Sequence, residues 1–366
     1  MQKRVLVTGG AGFIGCHVVR ALLVGGYRVR VLDSLIEQVH ARGTSRHPVL
    51  DEVEFIRADV RDLDRVAAAL EDADLVVHLA AEVGVGQSMY SIDRYVSVND
   101  HGTAVLFQAL IDRPVERVVV ASSMSIYGEG LYRTADGAPV EDVQRQAGGW
   151  DPAGPDGRPL RPVATPESKR PCLASVYALT KYAQERLTLT VAPAYGMQGV
   201  ALRLFNVYGP GQALSNPYTG VLAIFASRLL NGERPLVFED GEQRRDFVHV
   251  EDVARAFVLA LEHEDAAGQV FNIGSGRDVS ILDVARALAE AMGVPELEPE
   301  VMGKARVGDI RHCFADIGLA QRVLGFGPRR TFADSLGELA DWVGRQQAVD
   351  RVAEARRELE QRGLVA

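Results

Sequence analysis

The chain has 366 residues, 47% of them hydrophobic, so it can bury a large core, and its length suggests two closely associated domains. Its formal net charge of -9 argues against general binding to nucleic acid or to anionic membranes, because both need an excess of basic surface. The three cysteines, Cys16, Cys172 and Cys313, have no C-x-x-C spacing, so we expect reduced thiols and no metal site.

Short apolar runs recur through the first two hundred residues and are separated by longer amphipathic stretches, a pattern typical of a parallel sheet wrapped by helices. Because these runs are almost continuously hydrophobic, we expect strands covered on both faces, as in a doubly wound α/β fold. The predicted strands are residues 4–8, 28–32, 53–57, 75–79, 117–121 and 199–204.

The first strand begins at Arg4, which leaves no room for a signal peptide, and no apolar run approaches the length needed to span a membrane. We therefore expect a cytoplasmic protein.

A glycine-rich turn, TGGAGFIG at 8–15, follows the first strand directly and leads into a helical pattern. In this context the first glycine allows a tight turn, the second lets backbone amides approach a pyrophosphate, and the third lets helix and strand pack closely. The sequence therefore predicts a dinucleotide site formed by Gly9, Gly12, Phe13, Ile14 and Gly15.

The second strand ends at Asp33, the expected distance after the glycine turn. A carboxylate there accepts hydrogen bonds from the adenosine ribose and repels a 2′-phosphate, which favours NAD over NADP. Asp59 and Val60 follow the third strand and are candidate contacts to the adenine, although Asp59 as a helix cap is an alternative interpretation.

Tyr177 and Lys181 are four residues apart, which places both side chains on one face of a helix. A free tyrosine has a pKa of about 10, and a nearby ammonium together with a nicotinamide cation would favour its phenolate. The alternative is a surface tyrosine that packs on a lysine stem. Ser123 ends the fifth strand, at the sheet edge where open α/β folds bind ligands, and is the natural partner of Tyr177.

Residues 128–171 are rich in proline, glycine and charge, which predicts an inserted loop, either a cover for the substrate or a disordered excursion. After Asn206 the pattern changes to short strands and helices, including 251–263 and 280–292, typical of a smaller mixed α/β domain. Residues 332–363 show a charged helical pattern, for which we favour a packed and solvated terminal helical segment over a binding role.

We therefore expect two domains and a tail. The predicted boundaries are 1–205 for the NAD-binding domain, with part of 240–265 returning to it, 206–350 for the substrate domain and 351–366 for the helical tail.

Taken together, these motifs resemble the extended short-chain dehydrogenase/reductase family. The resemblance depends on TGGAGFIG, Asp33, Leu79-Ala80-Ala81, SSMSIYG at 122–128, YALTK at 177–181 and LRLFNVYGP at 202–210, and continues through RRDFVHVEDVARA at 244–256, FNIGSG at 271–276 and RVGD at 306–309. It implies a Rossmann fold, a tightly held NAD, a nucleotide-sugar substrate and a homodimer formed through a helix pair.

The resemblance also implies a role for each matching residue. Tyr177 would be the acid-base residue, Lys181 its activator and a ribose ligand, and Ser123 a hydrogen-bond donor to the reacting sugar oxygen. NAD would also contact Leu79, Ala80, Ala81 and Asn99, and the substrate would contact Ser125, Asn206, Arg245 and Arg306, the two arginines at its pyrophosphate. A turn-stabilising role for Asn99 and salt bridges for the arginines are the alternatives.

The two positions after Ser123 distinguish the reactions of similar enzymes, since dehydratases carry an acid pair there and decarboxylases a glutamate. This chain has Met124 and Ser125, which cannot supply that acid-base chemistry. We therefore expect a 4-epimerase that oxidises C4 and reduces the ketone from the opposite face.

The sequences of residues 80–90 and 212–241 are similar to those of enzymes that act on dTDP-linked 6-deoxyhexoses. Alternatives are a UDP-glucose or UDP-glucuronate 4-epimerase, a 4-ketoreductase and a non-catalytic NAD-binding scaffold.

Overall fold

The centre of the molecule is a seven-stranded parallel sheet. The computed structural model describes residues 2–40, 47–141, 143–145, 149–154, 156–218, 220–305 and 308–365. The strands are β1 (Arg4–Thr8), β2 (Arg28–Asp33), β3 (Glu54–Arg57), β4 (Leu75–His78), β5 (Arg117–Ser123), β6 (Gln198–Leu204) and β7 (Val270–Ile273). Their order is β7-β6-β5-β4-β1-β2-β3, so the doubly wound α/β fold predicted from the sequence is confirmed.

Successive side chains of each strand enter two separate cores, one on each face of the sheet. Val5 and Val119 belong to the core covered by α1 (Phe13–Val24) and α6 (Val250–Glu262). Leu6 and Val118 belong to the opposite core. That second layer is formed by α2 (Leu63–Ala69), α3 (Gly102–Asp112) and α4 (Val176–Ala194). Because both faces are covered, the strands need the continuous apolar sequence that predicted them.

The order of the strands reverses between β1 and β4, since the chain runs outward in one direction through β2 and β3 and in the other through β5 and β6. Open α/β sheets bind ligands beyond the carboxyl ends of the strands at such a point. The segment that returns to this domain runs past residue 265, because Val270–Ile273 supplies the seventh strand beside β6.

The second domain packs three helices around its own core, in which Phe225, Leu288 and Leu339 are buried. These helices are α5 (Val221–Leu230), α7 (Ile281–Ala291) and α9 (Phe332–Val343), and α8 (Gly318–Leu324) packs on the first domain. The small strands pair as Asn206–Tyr208 with Phe247–His249, Leu236–Val237 with Glu300–Val301, and Arg244–Arg245 with both Val279–Ser280 and His312–Cys313.

The remaining helices are short. They are Pro48–Glu52, Val85–Ser88, Ile92–Tyr95, the π-helical Val96–His101, Met124–Tyr127 and Glu264–Ala266. The charged segment 332–363 contains α9 and a last helix, α10 (Val352–Gln361). Among the described residues, no helix is both long and apolar enough to cross a membrane.

The insertion at 128–171 contains regular structure in its described part. Its strands are Leu131–Arg133, Pro139–Val140 and Arg161–Val163 in one antiparallel sheet, and Gln144–Arg145 with Pro152–Ala153 in another. Asp151 accepts a hydrogen bond of 2.6 Å from the buried Arg311, and the Thr165 amide donates to the carbonyl of Phe314 at 2.8 Å. The described part of the insertion is therefore docked on 310–316 and is not a disordered excursion.

Candidate active site

The glycine turn between β1 and α1 is as closely packed as its sequence predicts. Gly9 has a φ of +71°, and a Cβ there would lie 2.6 Å from the backbone nitrogen of Ala80. A Cβ on Gly15 would lie 2.6 Å from the Cα of Gly10, whereas the nearest atom to a Cβ on Gly12 is 3.4 Å away. The turn is thus held tight at Gly9 and Gly15 and is open at Gly12, where a pyrophosphate can approach the amino end of α1.

Asp33 lies at the end of β2 and holds the glycine turn in place. Its carboxylate accepts hydrogen bonds from the Ala11 amide at 3.0 Å and from the Leu35 amide at 2.8 Å. The Leu79 amide donates to the Thr8 carbonyl at 3.0 Å, so the segment beginning Leu79-Ala80-Ala81 follows β4 directly beside this turn. The predicted cofactor residues of these three segments therefore meet at one sheet edge.

Asp59 pairs with Arg61, with 2.6 Å between carboxylate and guanidinium, and this hydrogen bonding lowers the pKa of Asp59. The N-cap of α2 is Asp62, whose carboxylate accepts from the Arg65 amide. The alternative interpretation of Asp59 as the helix cap is therefore wrong. Val60 is buried next to Gly102 of α3.

Tyr177 and Ser123 meet at the carboxyl edge of the sheet. Helix α4 is capped by Ser175, whose hydroxyl accepts from the Ala178 amide at 3.1 Å, and this cap fixes Tyr177 in the first turn. Burial raises the pKa of Tyr177, while its hydrogen bond with Ser123 opposes that rise. The ring of Tyr95 packs edge-on against Tyr177, with 6.4 Å between ring centroids. The predicted pair of phenol and serine is thus in place.

Lys181 is only 3% exposed, and its ammonium donates to Gln184 Oε1 at 2.6 Å. Burial lowers the pKa of Lys181 to about 7, and the charge of Glu185 opposes this effect. The Gln184 amide in turn donates to Thr103 Oγ1 at 2.8 Å and lies 3.1 Å from His78 Nε2. Burial lowers the pKa of His78 to about 3, and the positive charge of Lys181 contributes.

These contacts form a buried polar network between α4, α3 and β4, and sequence reasoning missed its members Gln184, His78 and Thr103. Gln184 lies three residues after Lys181, a spacing that places both on one helix face, so this signal was present in the sequence.

Asn99 lies in the π-helical segment Val96–His101 and is completely buried. Its side chain accepts from the Glu82 amide at 2.7 Å and donates to Thr180 Oγ1 at 2.9 Å. Asn99 therefore joins the segment after β4 to α4. Its bonds to both the amide and the carbonyl of Glu82 fit the structural alternative, and its contact with NAD stays a prediction.

A cavity of about 440 Å³ opens beside these residues. The predicted site residues that line it are Phe13, Ile14, Ser123, Ser125, Tyr177, Asn206 and Arg245. The described residues of the insertion do not line this cavity, so they do not support its predicted role as a substrate cover.

Arg245 is held at the cavity wall by the backbone. Its guanidinium donates to the carbonyls of Arg244 and Arg311, each at 2.9 Å, and to that of Ile310. Burial lowers the pKa of Arg245, and the charge of Asp309 opposes this. Asn206 donates from Nδ2 to the Asp246 carbonyl at 3.0 Å. Arg306 lies outside the described residues.

The fold and the site define a Rossmann enzyme of the short-chain dehydrogenase/reductase type, with a dinucleotide cradle beside a Ser, Tyr and Lys set. A family model described as the NAD dependent epimerase/dehydratase family matches residues 5–274. The chain belongs to this family. Relatives named as 4-epimerases, which are isomerases, match nearly the whole chain, in agreement with the isomerase that the sequence predicts.

Three known proteins illustrate this similarity. The dTDP-L-rhamnose 4-epimerase of Burkholderia thailandensis is 40% identical over 359 residues, covering 95% of this chain and 96% of that protein. The structure of UDP-glucose 4-epimerase from Thermotoga maritima with UDP-glucose has a TM-score of 0.76 and 31% identity, covering 93% of this chain and 98% of its own. MoeE5 in complex with UDP-glucuronic acid and NAD has a TM-score of 0.73 and 35% identity, covering 93% and 99%.

Proposed function

We propose that the enzyme is a nucleotide-sugar 4-epimerase whose substrate is a dTDP-linked 6-deoxyhexose such as dTDP-L-rhamnose. The observation that carries the choice of reaction is the pair Met124 and Ser125, which lines the cavity beside Ser123 and Tyr177. Neither side chain can donate a proton to a leaving hydroxyl or act as a carbon base, so dehydration lacks its catalysts. The 40% identity to a dTDP-L-rhamnose 4-epimerase supports the choice of sugar.

The NAD site fits the residues present, since the glycine turn leaves Gly12 open and Asp33 lies at its side. Lys181 would hold the nicotinamide ribose. When bound, NAD supplies reversible hydride acceptance at C4 of the sugar.

Within this scheme, Tyr177 removes the proton of the 4-hydroxyl and later returns it, and Ser123 donates a hydrogen bond to the same oxygen. The ammonium of Lys181 favours the phenolate form of Tyr177. Arg245, Asn206 and Arg306 hold the pyrophosphate while the sugar turns to present its other face. Fixing the sugar against Tyr177 supplies much of the rate acceleration through orientation.

The test uses the holoenzyme without added cofactor and three substrates, dTDP-L-rhamnose, UDP-glucose and UDP-glucuronate, with products resolved by NMR. We expect inversion at C4 of the dTDP-sugar and no net redox change. Faster inversion of either UDP-sugar would refute the choice of substrate. A 4-keto-6-deoxy product would refute the interpretation of Met124 and Ser125, and consumption of added NADH would indicate a ketoreductase.

The role of Tyr177 is tested by Tyr177→Phe, with the exposed Tyr195→Phe at the end of the same helix as the matched control. Loss of a general acid-base group lowers kcat by about 10²- to 10⁴-fold, and bound NAD should be retained. Unchanged turnover in Tyr177→Phe would exclude the mechanism and favour a different base.

For assembly we propose a homodimer through the helix that begins at Ile92 together with α4. Ile92 is 52% exposed and Leu179 48% exposed, and each lies on one of these two helices, which pack together. Exposed apolar side chains on adjacent helices are suited to an interface between copies. Light scattering should report a dimer that Leu179→Lys weakens, and a monomeric parent protein would refute this assembly.

A further inference from the structure

Helix α10 forms one wall of the catalytic cavity. Its residues Val352, Ala355, Arg356 and Leu359, together with Leu364 just beyond, line the same cavity as Ser123 and Tyr177. Ala355 and Leu359 are each only 7% exposed. The sequence predicts a packed and solvated terminal helix without a binding role, and the structure shows that its packed side chains line this cavity.

The contacts of Leu359 connect α10 to the segment that follows β4. The δ carbons of Leu359 lie 3.6 Å from the position of a Cβ on Gly86, in the segment that follows β4. In that segment, the Val83 carbonyl accepts a hydrogen bond of 2.7 Å from Tyr95, the ring of which packs against Tyr177. A short chain of contacts thus connects Leu359 to the catalytic phenol.

The opposite face of α10 is acidic and borders a second cavity of about 690 Å³, lined in part by Glu354 and Glu358. The helix is fixed at both ends. Before it, Asp350 pairs with Arg228 at 2.9 Å. Behind it, the guanidinium of Arg362 lies 4.4 Å from the ring centre of Tyr90. The helix therefore separates the two cavities. Toward the first it presents Val352, Ala355 and Leu359, together with Arg356, whose guanidinium pairs with Glu360 at 2.8 Å, and toward the second it presents carboxylates.

We propose that α10 determines specificity for the substituent at C6 of the sugar: Ala355, Leu359 and Leu364 cover the methyl group of a 6-deoxyhexose and disfavour a 6-hydroxyl. This inference rests on the proposed function and adds a selecting element to it. A hydroxyl against these side chains loses its hydrogen bonds to water. A hydrophobic pocket disfavours a ligand with one added hydroxyl by up to about 100-fold.

The test measures binding and not turnover, in holoenzyme carrying Tyr177→Phe, by calorimetry with dTDP-L-rhamnose and dTDP-L-mannose, which differ only in the 6-hydroxyl. We expect the parent to prefer the 6-deoxy ligand by about tenfold or more. Leu359→Gln and Leu364→Gln should each reduce this preference severalfold. Leu359→Met should keep it, because it keeps an apolar contact. Arg357→Ala, on the exposed side of α10, is the matched control and should also keep it.

Equal affinity of the parent for both ligands, or no binding of either, would overturn the proposal. A preference that is unchanged in both glutamine variants would do the same. Retained NAD verifies that each variant is folded, and Leu364→Gln lies near the chain end, where it does not disturb a domain core. The test measures binding and not epimerisation. A failure of the proposed reaction can therefore be distinguished from a failure of the proposed selectivity at C6.

Discussion

The ammonium of Lys181 donates a hydrogen bond to Gln184 Oε1 at 2.6 Å, and both side chains are buried. Gln184 is fixed at its other end by Thr103 of α3 and by contact with His78 of β4. One glutamine thus connects Lys181, the predicted activator of Tyr177, to the sheet and to the adjacent helix. Functional groups need such support if they are to keep a productive orientation.

We therefore predict that Gln184→Leu impairs catalysis although Gln184 does not line the cavity. Leucine has a similar volume, so the substitution removes the hydrogen bonds and keeps the packing. An acceptor beside an ammonium stabilises its charged form, so removing it lowers the pKa of Lys181 further. The alkaline limb of the kcat profile should then move to lower pH, and kcat at neutral pH should fall by about tenfold, as for one lost hydrogen bond to a charged group. Arg186→Ala, exposed on the same helix, is the control. A lower Tm with an unchanged pH profile would indicate a structural role only.

The buried lysine should also make the stability of NAD-free protein depend on pH. Its pKa is about 7 when folded and 10.5 when ordinarily solvated, so between these values the unfolded chain binds the extra proton. The free energy of unfolding should therefore rise with pH across this window, by about 2 kcal/mol between pH 7 and 9. Well below pH 7 both states are protonated and this contribution is constant.

Lys181→Met isolates that contribution, because methionine fills a similar space without charge. In urea unfolding of NAD-free protein, the advantage of the variant over the parent should be largest at pH 7 or below and should shrink toward pH 9. An advantage that is equal at both pH values would contradict the assignment of the shift to Lys181.

Asp33 supplies a third prediction. Its carboxylate accepts from two backbone amides, those of Ala11 and Leu35, so Asp33→Ala loosens the glycine turn and removes the predicted ribose acceptor. We expect bound NAD to be lost on purification, with affinity reduced by about tenfold or more for two missing hydrogen bonds. The nicotinamide content of denatured protein measures this. Asp64→Ala, exposed on α2, should keep its NAD, and a full complement in Asp33→Ala would refute the role.

The parts of the site that the sequence could predict are those encoded locally. The continuous apolar runs predicted β1 to β6, and the glycine turn and the spacing of Tyr177 and Lys181 predicted where the chemistry lies. The fit between distant segments was not predictable. Arg311 pairs with Asp151, which lies 160 residues earlier in the chain, and this contact docks the insertion. The apolar spacing of Ala355 and Leu359 defines a helix face, but a helix face does not reveal what it covers.

Two glycines in helices allow a matched test of the cofactor turn. A Cβ on Gly15 of α1 would lie 2.6 Å from the backbone of Gly10, whereas a Cβ on the exposed Gly337 of α9 would have no neighbour within 4 Å. Gly337→Ala should therefore stabilise the protein by about 0.5–1 kcal/mol through helix propensity alone. Gly15→Ala gains the same helix propensity, but its Cβ must displace the backbone of Gly10. We therefore expect the free energy of unfolding to fall by about 1–3 kcal/mol and bound NAD to be lost. Thermal unfolding and nicotinamide content measure both effects. Equal stabilisation by the two substitutions would show that the turn can relax and that close packing at Gly15 is not required.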